Sequence, residues 1–168
     1  MNARALPLAL AALLVVGVLA APAPAQDGPG RKLPDRGQEH VPQGTKITYQ
    51  EYPPSSGKHW PVWAQWGIYK EAVPEEVFVH NLEHGGIVVL YNCATPCPDL
   101  VRQLEETYAA LPKSKFGHVK VVVSPNPRVK GRLALLAWTR IDDLDRFDRD
   151  RIVRFVQAWQ DKGPEDVP

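Results

Sequence analysis

The stretch Val77 to Leu111, "VFVHNLEHGGIVVLYNCATPCPDLVRQLEETYAAL", changes its hydrophobic period twice. At its centre, Ile87 to Asn92 ("IVVLYN") is a short apolar run without polar alternation, the pattern of a strand buried on both faces. Downstream, Pro98 to Leu111 spaces Leu100, Val101, Leu104, Tyr108 and Leu111 on one face of a helix, with proline in its first turn. Upstream, Glu71 to Glu83 predicts a short helix opened by "PEE", where acids suit the positive end of the dipole, and stopped by Gly85-Gly86. A helix, a buried strand and a second helix in such close succession set the fold class.

The flanks extend that pattern. "HVKVVVS" (His118 to Ser124) and "LALLAWTR" (Leu133 to Arg140) predict strands joined by "PNPRVKGR", with one hairpin in the sheet. Asp148 to Lys162 predicts a closing helix with Ile152, Phe155, Val156 and Trp159 as its core stripe, and "GPEDVP" a frayed end. "TKITYQEY" (Thr45 to Tyr52) alternates as a half-buried strand does. Pro53 to Tyr69 has prolines, glycines and three tryptophans with no period, so an ordered loop is expected. The expectation is a single α+β domain over residues 39–164: a small, mainly antiparallel or mixed sheet packed by two main helices, with an ordered Trp/Pro-rich N-terminal loop.

The first residues read differently. A basic start with Arg4, an apolar run from Ala5 to Ala21, and small residues at Ala23 and Ala25 fit a signal peptide over residues 1–25. Uncleaved, the same run would be a membrane anchor. Either way the domain is expected outside the cytoplasm: periplasmic, extracellular or membrane-anchored and facing outward. Gln26 to Gln38, rich in Gly, Pro and charge, is expected to be a disordered tether. With Lys plus Arg at 20 and Asp plus Glu at 19, no strong field selects nucleic acid.

Export decides how the cysteines read. Cys93 and Cys97 are expected to form a disulfide. Their x3 spacing is not the C-x-x-C redox motif, although their place before a helix leaves metal ligation or thiol–disulfide chemistry as alternatives.

The histidines carry the remaining chemistry. His80 and His84 share a face on a helix or on a strand, whereas Glu83 joins them only on a helix. Such a pair is a two-point chelate, and a loop residue such as His59, with His40 or Glu83, can complete the site. Imidazole with carboxylate suits zinc, copper(II), nickel or non-haem iron, and the lone Met1 excludes a methionine-rich copper(I) site. His80-x-x-Glu83-His84 also spells the inverted zinc-protease motif, but no downstream carboxylate is marked by a motif. His118 is expected to be an ordinary surface residue.

From His40 to about Pro164 the chain resembles the bacterial domain-of-unknown-function family numbered 3105. The resemblance rests on "EHVPQGTKITYQEYPPSSGKHWP", on "WGIYKEAVPEEVFVHNLEHGGIVVLY", and on "SPNP" followed by "LLAWTR". It implies a secreted or membrane-anchored protein, and it puts His40, His59, His80, Glu83 and His84 in the family's recognisable segments. It implies no activity. Relatives often carry Cys where this chain has Trp66, and the Cys93/Cys97 pair is a local addition. The expected function is therefore an exported metal-binding domain, for metal handling or structure, with a zinc or copper ion on His59, His80, His84, His40 and Glu83. Catalysis is left open, with binding preferred. The alternatives are an envelope interaction module without metal, a metal-dependent hydrolase, and a thiol–disulfide protein.

Overall fold

The computed structural model describes residues 28–168. The expected signal peptide and Gln26-Asp27 lie outside the described residues. Strand β3 (Ile87–Tyr91) is buried along its whole length. It pairs in parallel with β4 (Val121–Pro125), Val89 opposite Val123, and antiparallel with β5 (Leu133–Ala137), Val89 opposite Leu135. Beyond β5 lies β6 (Arg140–Leu144), and two-residue strands close the edges: β1 (Arg31–Lys32) on β6 and β2 (Gly67–Ile68) on β4. Among the described residues the order is β1-β6-β5-β3-β4-β2, a mixed sheet.

Alternate residues of β3 feed two cores. Ile87, Val89 and Tyr91 meet Leu100 and Leu104 of α2 (Pro98–Ala109) and Ile152, Phe155 and Val156 of α3 (Arg149–Trp159). Val88 and Leu90 belong to the opposite core with Phe78, Val79 and Leu82 of α1 (Glu75–Glu83). Asp148 caps α3, its carboxylate accepting from Arg151 N at 2.9 Å. The α+β class and the mixed sheet agree with the sequence, and both expected main helices are present.

Several expectations fail for identifiable reasons. The tether is not free from Gly28 onward: β1 completes the edge of β6, and Trp159 Nε1 donates to Pro29 O at 2.9 Å. Backbone pairing asks nothing of side-chain hydropathy, so composition does not register it. Thr45 to Tyr52 is irregular, not a strand. Its alternation survives as burial, with Ile47 and Tyr49 half-buried between exposed neighbours, but the outer edge of β4 is taken by β2.

Helix α1 starts at Glu75 instead of Glu71, because the residue before Pro74 is driven to extended backbone. The "PNPRVKGR" link joins no adjacent strands. It loops over the end of β3, where Asn126 N donates to Tyr91 O at 2.8 Å and Asn92 N to Arg132 O at 3.0 Å. The hairpin is β5–β6, turning at Thr139 with φ 58°. Strand β6, "RIDDL", gives no apolar signal because its Asp142 is buried as a bidentate partner of Arg151, at 2.8 and 2.5 Å.

Candidate metal centre

Helix α1 answers the question posed by Glu83. Its turn places His80, Glu83 and His84 on the side away from Phe78, Val79 and Leu82, and all three polar side chains are buried. The helix ends at His84, and Gly85 takes φ 75° to turn the chain into β3. A side chain on Gly86 would stand 2.5 Å from the Trp66 ring, so the turn also requires glycine there.

The Trp-rich loop is fastened to α1 by Asn81, whose Oδ1 accepts from Ala64 N at 2.9 Å and whose Nδ2 donates to Ala64 O at 2.8 Å. His59 comes in on this loop. Its backbone pairs in parallel with that of His40, through His59 N to Glu39 O at 3.1 Å and Val41 N to His59 O at 2.9 Å.

These elements bring all the expected ligands together. Glu83 Oε2 lies 2.9 Å from His59 Nε2, 3.2 Å from His40 Nε2 and 3.9 Å from His80 Nε2. His80 Nε2 and His84 Nε2 are 2.9 Å apart. The exposed Trp63 lies over the last two rings, with centroids 5.3 and 5.0 Å away.

The backbone fixes which nitrogens face inward. His59 Nδ1 lies 2.8 Å from Gly57 O and His80 Nδ1 2.8 Å from Trp60 O, so each Nδ1 carries the hydrogen and donates. In its neutral form a ring so anchored presents Nε2 as a lone pair. His59 Nε2 faces a carboxylate oxygen 2.9 Å away, a distance that calls for a proton or a cation between the two atoms. Protonation is disfavoured at the other end of the cluster. Burial, and then the neighbouring His80, pull His84 down to about 4; burial chiefly lowers His80 as well. His84 Nδ1 is buried without a partner. Imidazole nitrogens beside a buried carboxylate form a donor set that could hold a divalent transition metal.

Two contributors escaped the sequence reading. The presumed frayed end runs back across α1: Glu165 N donates to Glu83 O at 3.0 Å, and Glu165 Oε2 lies 3.3 Å from His84 Nε2. Lys120, fully buried, donates from Nζ to His84 O and, at 2.7 Å, to Val167 O, which ties the C-terminal segment to the end of α1. Burial chiefly lowers the Lys120 ammonium, opposed by Asp161. Neither residue stands in a local motif. A lysine inside the strand-like "HVKVVVS" was the available hint.

His118 is outside the cluster and is half-buried, with Nε2 lacking a partner, so it is not the surface residue expected. Cys93 and Cys97 are joined, with Cα atoms 6.1 Å apart. They sit past the opposite end of β3, beside a cleft of about 760 Å³ that Ile68, Tyr69, Tyr91 and Val101 also line.

The family described as "Protein of unknown function (DUF3105)" matches residues 40–167. The chain belongs to this family. No curated protein and no solved structure matches it. Every donor of the cluster, from His40 to Glu165, falls inside the DUF3105 match, whereas β1 precedes it. Among the described residues no helix is long and apolar enough to cross a membrane.

Proposed function

We propose that this DUF3105 domain is an exported metal-binding domain whose cluster of His40, His59, His80, His84 and Glu83 takes a divalent transition metal, zinc or copper(II). One observation carries the reading: carbonyl-anchored rings turn their Nε2 atoms toward one another and toward a buried carboxylate. The rings of His59, His80 and His84 are buried and Trp63 lies over the last two, which suits retention of an ion for structure or delivery. Export is supported by the apolar run and the Ala-x-Ala site, and recovered protein should begin at Gln26 by intact mass.

The test is zinc and copper(II) titration of the wild type against His59→Ala, His80→Ala and His84→Ala. Each variant should bind at least about tenfold more weakly while remaining folded, since removal even of a ligand's supporting partner costs that much. Binding should also weaken as the pH falls toward about 4, where protons compete for His84, whose value burial has lowered. Variants that bind like the wild type would overturn the reading.

A further inference from the structure

We infer that the cluster takes two divalent transition ions, with Glu83 as the carboxylate between them and Glu165 as a ligand of the second. This rests on the metal reading above and goes beyond it in stoichiometry and in the ligand set. The donors fall into two overlapping groups, His40–His59–His80–Glu83 and His80–Glu83–His84–Glu165, each with its ligand atoms within 4.8 Å of one another. Together they offer six side chains, more than the four a tetrahedral protein site uses.

The shared members can be assigned by their lone pairs. An imidazole Nε2 has one, so His80 serves a single ion. It stands 2.9 Å from His84 Nε2 and 3.9 Å from Glu83 Oε2, which puts it with His84. A carboxylate has two oxygens with several lone pairs and can serve both ions. The first ion then has His40, His59 and Glu83; the second has His80, His84 and Glu165, with Glu83 beside it. Paired ions about 3.5–4 Å apart are an established arrangement in proteins.

Glu165 is held in place for this role. Its N–H is bonded to Glu83 O at 3.0 Å, Asp161 N to Gly85 O at 2.8 Å, and Lys120 grips Val167 O. A Cβ on Gly163 would fall 2.2 Å from both Glu83 O and Gly85 N, so the segment lies against α1 as closely as backbone allows. The side chain of Glu165 is 42% exposed, which places it at the solvent side of the second position, where an ion enters.

Native mass spectrometry of the demetallated full chain titrated with zinc, alongside calorimetry, distinguishes the outcomes. The wild type should take two ions. Glu165→Gln, an isosteric change at a half-exposed position, should keep the first and bind the second at least tenfold more weakly. His40→Ala should do the reverse. Gly163→Ala, which forces the segment off α1, should resemble Glu165→Gln. One ion in the wild type overturns the two-ion inference and leaves the metal reading standing, whereas none overturns both. Two ions held equally well by wild type and Glu165→Gln overturn the assignment of Glu165.

Discussion

On one face of the sheet, α2 and α3 lay continuous apolar stripes over Ile87, Val89 and Leu135; on the other, α1 shares the cover with a loop rich in Pro and Trp. The helical face is held by area and shape. Its buried polar groups are few, and the disulfide pins the start of α2. The loop face is held by named bonds: Asn81 to Ala64, His59 to Gly57, His80 to Trp60, Lys120 to His84 and Val167. Apolar packing tolerates many sequences, whereas this polar network is specified group by group. Stability should therefore be sensitive to volume on the first face and to protonation on the second.

The largest break should come from Phe155→Ala. Phe155 is fully buried between α3 and the sheet, and its loss should cost about 3–5 kcal/mol in urea denaturation. Zinc affinity of the molecules still folded should be unchanged; a parallel loss would mean the two faces are not independent.

Next in size is the pH response of the metal-free protein. His84 is held down at about 4 when folded, chiefly by burial, against about 6.5 when unfolded, so between these values the unfolded chain binds the extra proton. Stability should be full above about pH 6.5 and fall as the pH drops toward 4, by up to about 3 kcal/mol. Denaturation midpoints across that window check the sign, and His84→Gln should flatten the slope. An unchanged midpoint would contradict a neutral His84.

Reduction of Cys93–Cys97 ranks third. A bridge between residues 4 apart closes a very small loop, worth about 2 kcal/mol by chain entropy. Thiol titration of the native chain should find none free, and reduction should leave zinc binding intact. A drop in affinity on reduction would link the opposite ends of β3.

The smallest expected effect is Asp148→Ala, which removes the cap of α3 and should cost about 1 kcal/mol on the helical face alone. Thermal denaturation resolves a change of that size.

The same contrast explains what was legible beforehand. Periodicity marked α2, α3 and β3 because their burial is decided by apolar side chains in regular array. It missed β6, whose Asp142 is satisfied by Arg151, and β1, whose place depends on backbone pairing. At the cluster, His80, Glu83 and His84 announced themselves by spacing, and His59 and His40 by chemistry. Glu165 could not be found that way: its proximity to His84 depends on α3 packing first, and then on a glycine at 163 that lets two backbones touch. In the metal reading, long-range topology completes what the local motif begins.

The return of the C-terminal segment to α1 also imposes an order on how the molecule is made. His40, His59 and Glu83 leave the ribosome together on one stretch of chain, and β4, β5, β6 and α3 must all follow before Glu165 reaches His84. A chain clipped by a protease after α3 keeps the early donors and lacks the late one. In the two-ion reading, occupancy of the second position would report whether the segment after α3 is intact.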